Sequence, residues 1–269
     1  MKNLIVTLLA TFQVILVLGQ DIIHITGVKG KQVIAGSINE DEAKGRALAE
    51  AKLNALKMAG VSEHIQSYDF LFKSEVGSKF DEVFMSDMQS EIRGAVKSYT
   101  MNADKGIDEF NNFYVEVTID ADIILYTNGP DPAFRVNIDG IKQGYQNGDK
   151  MQYTITPTID CYLNIFNLYE NSASMIFPNP YEKSKKFKAG ETVTFPQSSL
   201  LDGYVLEKTT QEPEKNKLLF VFTKRNIPYI NFRLNQDDDQ ITSFEDISTW
   251  LFSISPDERV NYFMQFVIY

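Results

Sequence analysis

The sequence predicts an α+β chain: an N-terminal antiparallel sheet with helices on one face, followed by a mainly β, sandwich-like module. Three observations predict it. Ala43, Ala47, Ala51 and Ala55 recur every four residues, the spacing of a helix that lies close against a sheet. From Phe134 to about Arg225 the apolar stretches are short and separated by turn chemistry. Between the two textures lies Tyr126–Ala133 (YTNGPDPA), rich in the residues that break regular structure.

Met1 to Gln20 carries Lys2, then an apolar run from Leu4 to Leu18, then the small Gly19. A short basic start, an apolar middle and a small residue at the cut form a secretory signal, so 1–19 is expected to be a signal peptide. The run falls short of the roughly 20 residues a spanning helix wants. A retained N-terminal anchor is the rival reading, and no transmembrane segment is expected after cleavage.

Residues 20–126 form the first module. Ile22–Val28 reads as a strand, and Val33–Ile34 as a second short apolar stretch after Gly30. Asn39 with Glu42 three residues on is a capping-box-like helix start, and Gly60 is a fitting stop. Ile65–Lys73 reads as a strand, and Ser78 with Asp81 caps a short helix bearing Phe80, Val83, Phe84 and Met88. Ile92–Met101 and Phe113–Leu125 read as strands. The latter places Phe113, Val115, Val117, Ile119 and Ala121 on one side.

After the linker 127–133, residues 134–269 form the second module. Phe134–Ile138, Lys150–Thr156, Cys161–Tyr169, Ser174–Phe177, Thr192–Phe195, Gly203–Leu206 and Leu218–Lys224 read as strands. Turns are expected at Asp139-Gly140, Asn147-Gly148-Asp149, Pro178-Asn179-Pro180 and Ala189-Gly190. Residues 241–252 read as a helix around Phe244, Ile247, Trp250 and Leu251. Ser255-Pro256-Asp257 is a turn, and Tyr262–Tyr269 a last strand.

The chain has 269 residues and a net charge of -10, which argues against a nucleic-acid binder, since that needs a basic face. One cysteine forbids an internal disulfide and a cysteine-rich zinc site. Walker-type and dinucleotide-binding glycine patterns are absent, and Gly27-x-x-Gly30 is too short for either.

Two resemblances follow. Ile22–Val28, the alanine helix, Gly60, Glu91-Ile92-Arg93-Gly94-Ala95-Val96 and Tyr114-Val115-Glu116-Val117 together resemble two α+β families. These are the 20-kDa outer-membrane lipoproteins and the amino-terminal domain of flagellar assembly protein T. The chain lacks the lipoproteins' lipidated cysteine, which removes that route to a membrane. Gly148-Asp149, Cys161-Tyr162-Leu163-Asn164-Ile165-Phe166, Ile176-Phe177-Pro178-Asn179, Ala189-Gly190-Glu191 and Phe195-Pro196 resemble the domain of unknown function 4384, over roughly 134–230. That resemblance implies a sandwich-like module of envelope or secreted proteins, and no reaction.

The candidate reactive residues each have a plainer reading. Cys161 is the only thiol, but it sits in an apolar strand beside Asp160, whose charge disfavours a thiolate. His24 and His64 are the only imidazoles; either could serve a Ser-His-Asp triad, yet no Gly-x-Ser-x-Gly elbow supports one, and two histidines with a distant cysteine give no metal spacing. Asp237-Asp238-Asp239 lacks the calcium-loop pattern and is expected to be a solvated turn before a helix. Tyr145, Tyr153, Tyr162, Tyr169, Tyr181 and Tyr204 are candidate binding aromatics, expected mainly to pack. The Phe177-Pro178-Asn179 turn is expected to be a structural corner.

The expected function is an exported, non-enzymatic binding or scaffold protein of a bacterial cell envelope, periplasmic or extracellular. No catalytic residue, cofactor or metal is assigned, and the binding residues stay open. The expected partner is another envelope protein or a cell-wall component. The alternative is a carboxylate-dependent hydrolase of envelope polymers, whose paired acids would be set only in three dimensions.

Overall fold

A computed structural model of the chain describes residues 21–34, 38–61, 94–169, 172–197, 203–235 and 240–269. The expected leader, the strand expected at Ile65–Lys73, the helix expected after Ser78, His64 and Asp237–Asp239 lie outside the described residues.

Three long strands form the N-terminal sheet: β1 (Asp21–Val33), β2 (Gly94–Ile107) and β3 (Phe113–Leu125). The central β3 pairs antiparallel with both neighbours. The two apolar stretches expected in 22–34 are one strand interrupted by a bulge. There Gly27 takes φ 67° and its amide donates to the Asp120 carboxylate at 2.7 Å. A left-handed residue at a bulge is where glycine fits at least cost.

Along β3, Val115, Val117, Ile119, Ala121 and Ile123 are buried under the helix α1 (Glu40–Met58). Phe113, expected in the same row, is 62% exposed because it is the first residue of the strand, at the hairpin turn. The Asn39 side chain caps α1 by accepting from the Glu42 amide at 2.9 Å. At the other end Val61 N–H bonds Leu56 O and Gly60 N–H bonds Lys57 O, with Gly60 at φ 82°. This is the Schellman pattern, which satisfies carbonyls the helix itself cannot.

The alanine ridge brings α1 into backbone contact with β1. A Cβ on Gly30 would lie 2.0 Å from Ala47 O and 2.5 Å from Ala51 N. Ala43, Ala47, Ala51 and Ala55 are fully buried. Small residues on both sides set the spacing, and nothing larger fits without moving the helix.

The second module holds three sheets. One joins β4 (Val136–Asp139), β7 (Tyr153–Pro157) and β10 (Val193–Phe195) antiparallel about β7. A ribbon joins β6 (Lys150–Met151) to β11 (Tyr204–Val205). The largest has seven strands in the order β13 (Arg233–Leu234), β14 (Gln240–Thr242), β9 (Ser172–Phe177), β8 (Tyr162–Tyr169), β12 (Glu214–Thr223), β15 (Arg259–Ile268) and β5 (Gly144–Tyr145). Only β5 runs parallel to its neighbour. The single strand expected at Lys150–Thr156 splits at Gln152, because β6 and β7 pair with different partners. Residues 241–242, expected in the last helix, belong to β14; the helix α2 (Phe244–Phe252) starts after Ser243, whose hydroxyl accepts from the Asp246 amide.

β12 is buried on both faces. Leu218, Phe220 and Phe222 face a core shared with β4, β7 and β10, including Tyr153, Ile155, Phe177 and Phe195. Leu219 and Val221 face a second core with Phe166, Leu168, Ile247, Leu251 and Phe252. A strand covered on both sides reads as a continuous apolar run, which Leu218–Phe222 is.

That second core also contains Ala95 and Ile124 from the N-terminal sheet and Tyr126 just after β3. The Tyr126 hydroxyl donates to Phe252 O at 2.7 Å. The Arg259 guanidinium beside it donates to Ile254 O and Asn261 Oδ1, each at 3.0 Å. The segment 127–133 is pinned as it crosses: Asn128 bonds Asp257 at 3.1 Å, and Lys224 pairs with Asp131 at 2.7 Å.

Two glycine substitutions separate close approach from flexibility. Gly30→Val is expected to destabilise by about 3 kcal/mol or more in urea unfolding, because it pushes backbone on backbone. Gly45→Ala meets nothing within 4 Å and sits inside α1, so it is expected to stabilise by roughly 0.5–1 kcal/mol.

Candidate functional site

Glu182 is the buried carboxylate of the described residues, at 2% exposure. Three segments converge on it. Asn179, in the turn after β9, accepts from the Tyr181 and Glu182 amides through Oδ1 and donates to Ile176 O at 2.7 Å. That places Glu182 inward, where Oε2 accepts from the Tyr204 hydroxyl at 2.7 Å and from Asn179 Nδ2 at 3.2 Å. Oε1 accepts from the Gln197 amide at 2.5 Å, just past β10. The two proline peptides flanking this region, Phe177-Pro178 and Phe195-Pro196, are cis.

Aromatic rings close the site. Tyr153 stacks on Phe195 at 5.2 Å and on Tyr204 at 6.0 Å, and meets Phe220 edge-on at 5.4 Å. Burial raises the phenol pKa of both Tyr153 and Tyr204, and the Glu182 carboxylate beside Tyr204 raises it further. Both stay protonated, so Tyr204 is a donor to a carboxylate already engaged by two amides. No partner of Glu182 is a second acid. The arrangement binds three segments together through charge-assisted hydrogen bonds.

The other candidate residues stand apart. Cys161 is fully buried, its backbone bridged to Phe187. Burial, then the Asp160 charge, pushes its thiol pKa up to about 12. Asp160 binds the Lys188 ammonium at 2.9 Å, Lys186 at 3.2 Å and the Ala189 amide at 3.0 Å, and these contacts, the amide foremost, hold its carboxyl well below the usual range.

His24 lies on the exposed face of the N-terminal sheet, with Nδ1 2.8 Å from Asp122 Oδ1. Ser98 donates to the other oxygen of Asp122 at 2.9 Å. The three residue types of a triad are therefore together, but in the wrong order. Serine and histidine share the carboxylate instead of bonding each other, so the imidazole cannot take the serine proton. Their hydrogen bonds, that from His24 first, lower the Asp122 pKa. Among the described residues no group of three or more His, Cys, Asp or Glu is placed to hold a metal.

Of the candidate aromatics, Tyr145 and Tyr153 are core residues, Tyr204 reaches Glu182, and Tyr181 is 67% exposed. The Phe177-Pro178-Asn179 turn is a corner whose asparagine builds the Glu182 site. Sequence reading missed Glu182, which stands in a polar stretch with no periodicity to mark it as inward. The Asn179 turn was its only signal.

Residues 144–226 match the domain of unknown function 4384. The match runs from β5 through β12 and contains Asn179, Glu182, Tyr204 and every ring around them. It lies within the resemblance read from sequence and stops short of α2 and β15. No curated protein matches the chain.

Two outcomes are expected of this domain. Glu182→Ala is expected to cost ~3 kcal/mol, and Tyr204→Phe ~1.5–3 kcal/mol, in urea unfolding with an unchanged slope; a loss under ~0.5 kcal/mol for both would show the network to be idle. Cys161 is expected to resist thiol reagents in the native chain at pH 8, where it is a buried neutral thiol, and to react at once in denaturant.

Proposed function

We propose that the chain is an exported, non-enzymatic binding or scaffold protein of a bacterial cell envelope. The second module is its recognition surface, and the first docks to another envelope component. The observation that carries this reading is how the chain uses its reactive groups. Cys161 is buried with its thiolate disfavoured. Glu182 is engaged by three donors. His24 and Ser98 are spent on one exposed carboxylate. Each serves the fold or lies open to water, where acid–base and nucleophilic groups gain little.

Two further observations support it. The apolar leader with Lys2 and Gly19 favours export. The N-terminal half resembles envelope modules, and the C-terminal half carries a domain without an assigned reaction.

A crosslinking pull-down from the native envelope, with the N-terminus read on the same sample, tests the proposal. A reproducible protein or cell-wall partner is expected, with an N-terminus near Gln20. Cys161→Ala and His24→Ala are expected to keep that partner. Turnover of an envelope polymer, lost when one acid is replaced in a chain that still folds, would replace this reading with the hydrolase.

A further inference from the structure

The segment 181–190 is unlike the rest of an acidic chain. Lys183, Lys185, Lys186 and Lys188 fall within six positions and all four are exposed. They are held on a fixed frame. Glu182 turns inward to Tyr204 and Gln197, and Phe187 is fully buried with its backbone paired to Cys161. Ala189 N–H bonds Asp160 at 3.0 Å. The inward Glu182 and Phe187 bracket the exposed run 183–186, with Lys188 just beyond, so the cations are presented by backbone anchored at both ends. Asp160 offsets part of the charge at Lys186 and Lys188. Lys183 and Lys185 have no ion pair with a described carboxylate, and Lys185 lies over the Phe187 ring at 5.6 Å. Tyr181, 67% exposed, stands beside them.

We propose that the 181–190 loop is a docking surface for an anionic membrane, where lysines meet lipid phosphates and Tyr181 enters the headgroup layer. It deepens the envelope reading above and rests on it for location alone. Three features select a bilayer over a single phosphate or an acidic protein. The cations are all lysines, point charges without the rigid fork that grips one oxyanion. They stand on exposed, flexible stems that spread over a layer of charge. An exposed tyrosine among them has the apolar body and polar tip that seat at a membrane interface. The net charge of -10 repels the chain from such a surface in other orientations, so the loop also sets which side faces the lipid. Lys183 and Lys185, the two lysines without a described carboxylate partner, make the contact weak, reversible and salt-sensitive.

Sedimentation of the full chain with vesicles tests this. Vesicles of phosphatidylglycerol with phosphatidylcholine are expected to bind the chain at low salt, and vesicles of phosphatidylcholine alone are not. Added salt is expected to weaken the binding. Lys183→Glu with Lys185→Glu is expected to weaken it about tenfold or more. Lys44→Glu with Lys57→Glu, the same charge change on exposed positions of α1, is expected to leave it within about twofold. Far-UV circular dichroism confirms that both variants fold. Equal binding to both vesicle types, or equal loss in both variants, would overturn the proposal. Capture by soluble dextran sulfate but not by vesicles would also overturn it, by assigning the loop to a soluble polyanion. A crosslinked partner that persists without vesicle binding would leave the scaffold reading standing and remove only this inference.

Discussion

The two-sided burial of β12 is the constraint on which the remaining structure depends. Its residues alternate between two cores, with Phe220 and Phe222 on one side and Leu219 and Val221 on the other. Neither face can be wet without exposing large apolar area, at roughly 25 cal/mol per Å². One face requires the smaller sheets of the sandwich. The other requires α2, Ala95 and Ile124 of the N-terminal sheet, and Tyr126 just after it. The two modules therefore share a core through one strand, and the linker between them is fixed at Asn128 and Asp131.

Each module answers its packing problem differently. The first brings helix and sheet together by omission, with alanine against glycine at Gly30. The second fills its space with rings and then binds its irregular segments through one buried carboxylate. A buried charge is costly unless it is hydrogen-bonded. Glu182 meets that condition with donors from the Asn179 turn, the Gln197 backbone and Tyr204. It lies within the matched residues 144–226. The outward residues around it, Lys183 and Lys185 among them, are exposed.

What was legible in the sequence followed from periodicity and from caps. The alanine repeat with Asn39 and Gly60 gave α1, and alternation gave β3 and its buried row. The run Leu218–Phe222 marked a strand, though not that both its faces were covered. Strands of two or three residues, such as Gly144–Tyr145 and Arg233–Leu234, carry no pattern of their own and exist only because a longer neighbour offers an edge. The burial of Cys161 and the charge effect of Asp160 could be argued from adjacency alone. Glu182 could not, because its partners come from residues 179, 197 and 204. The grouping of His24, Ser98 and Asp122 depends on strand register, and only the register reveals that their order defeats a triad.

If the modules share one core, they unfold together. Differential scanning calorimetry of the full chain measures this directly. The account predicts a single transition whose calorimetric and van't Hoff enthalpies agree. Two resolved transitions, with the first module melting while the β12 sheet stays intact, would contradict it.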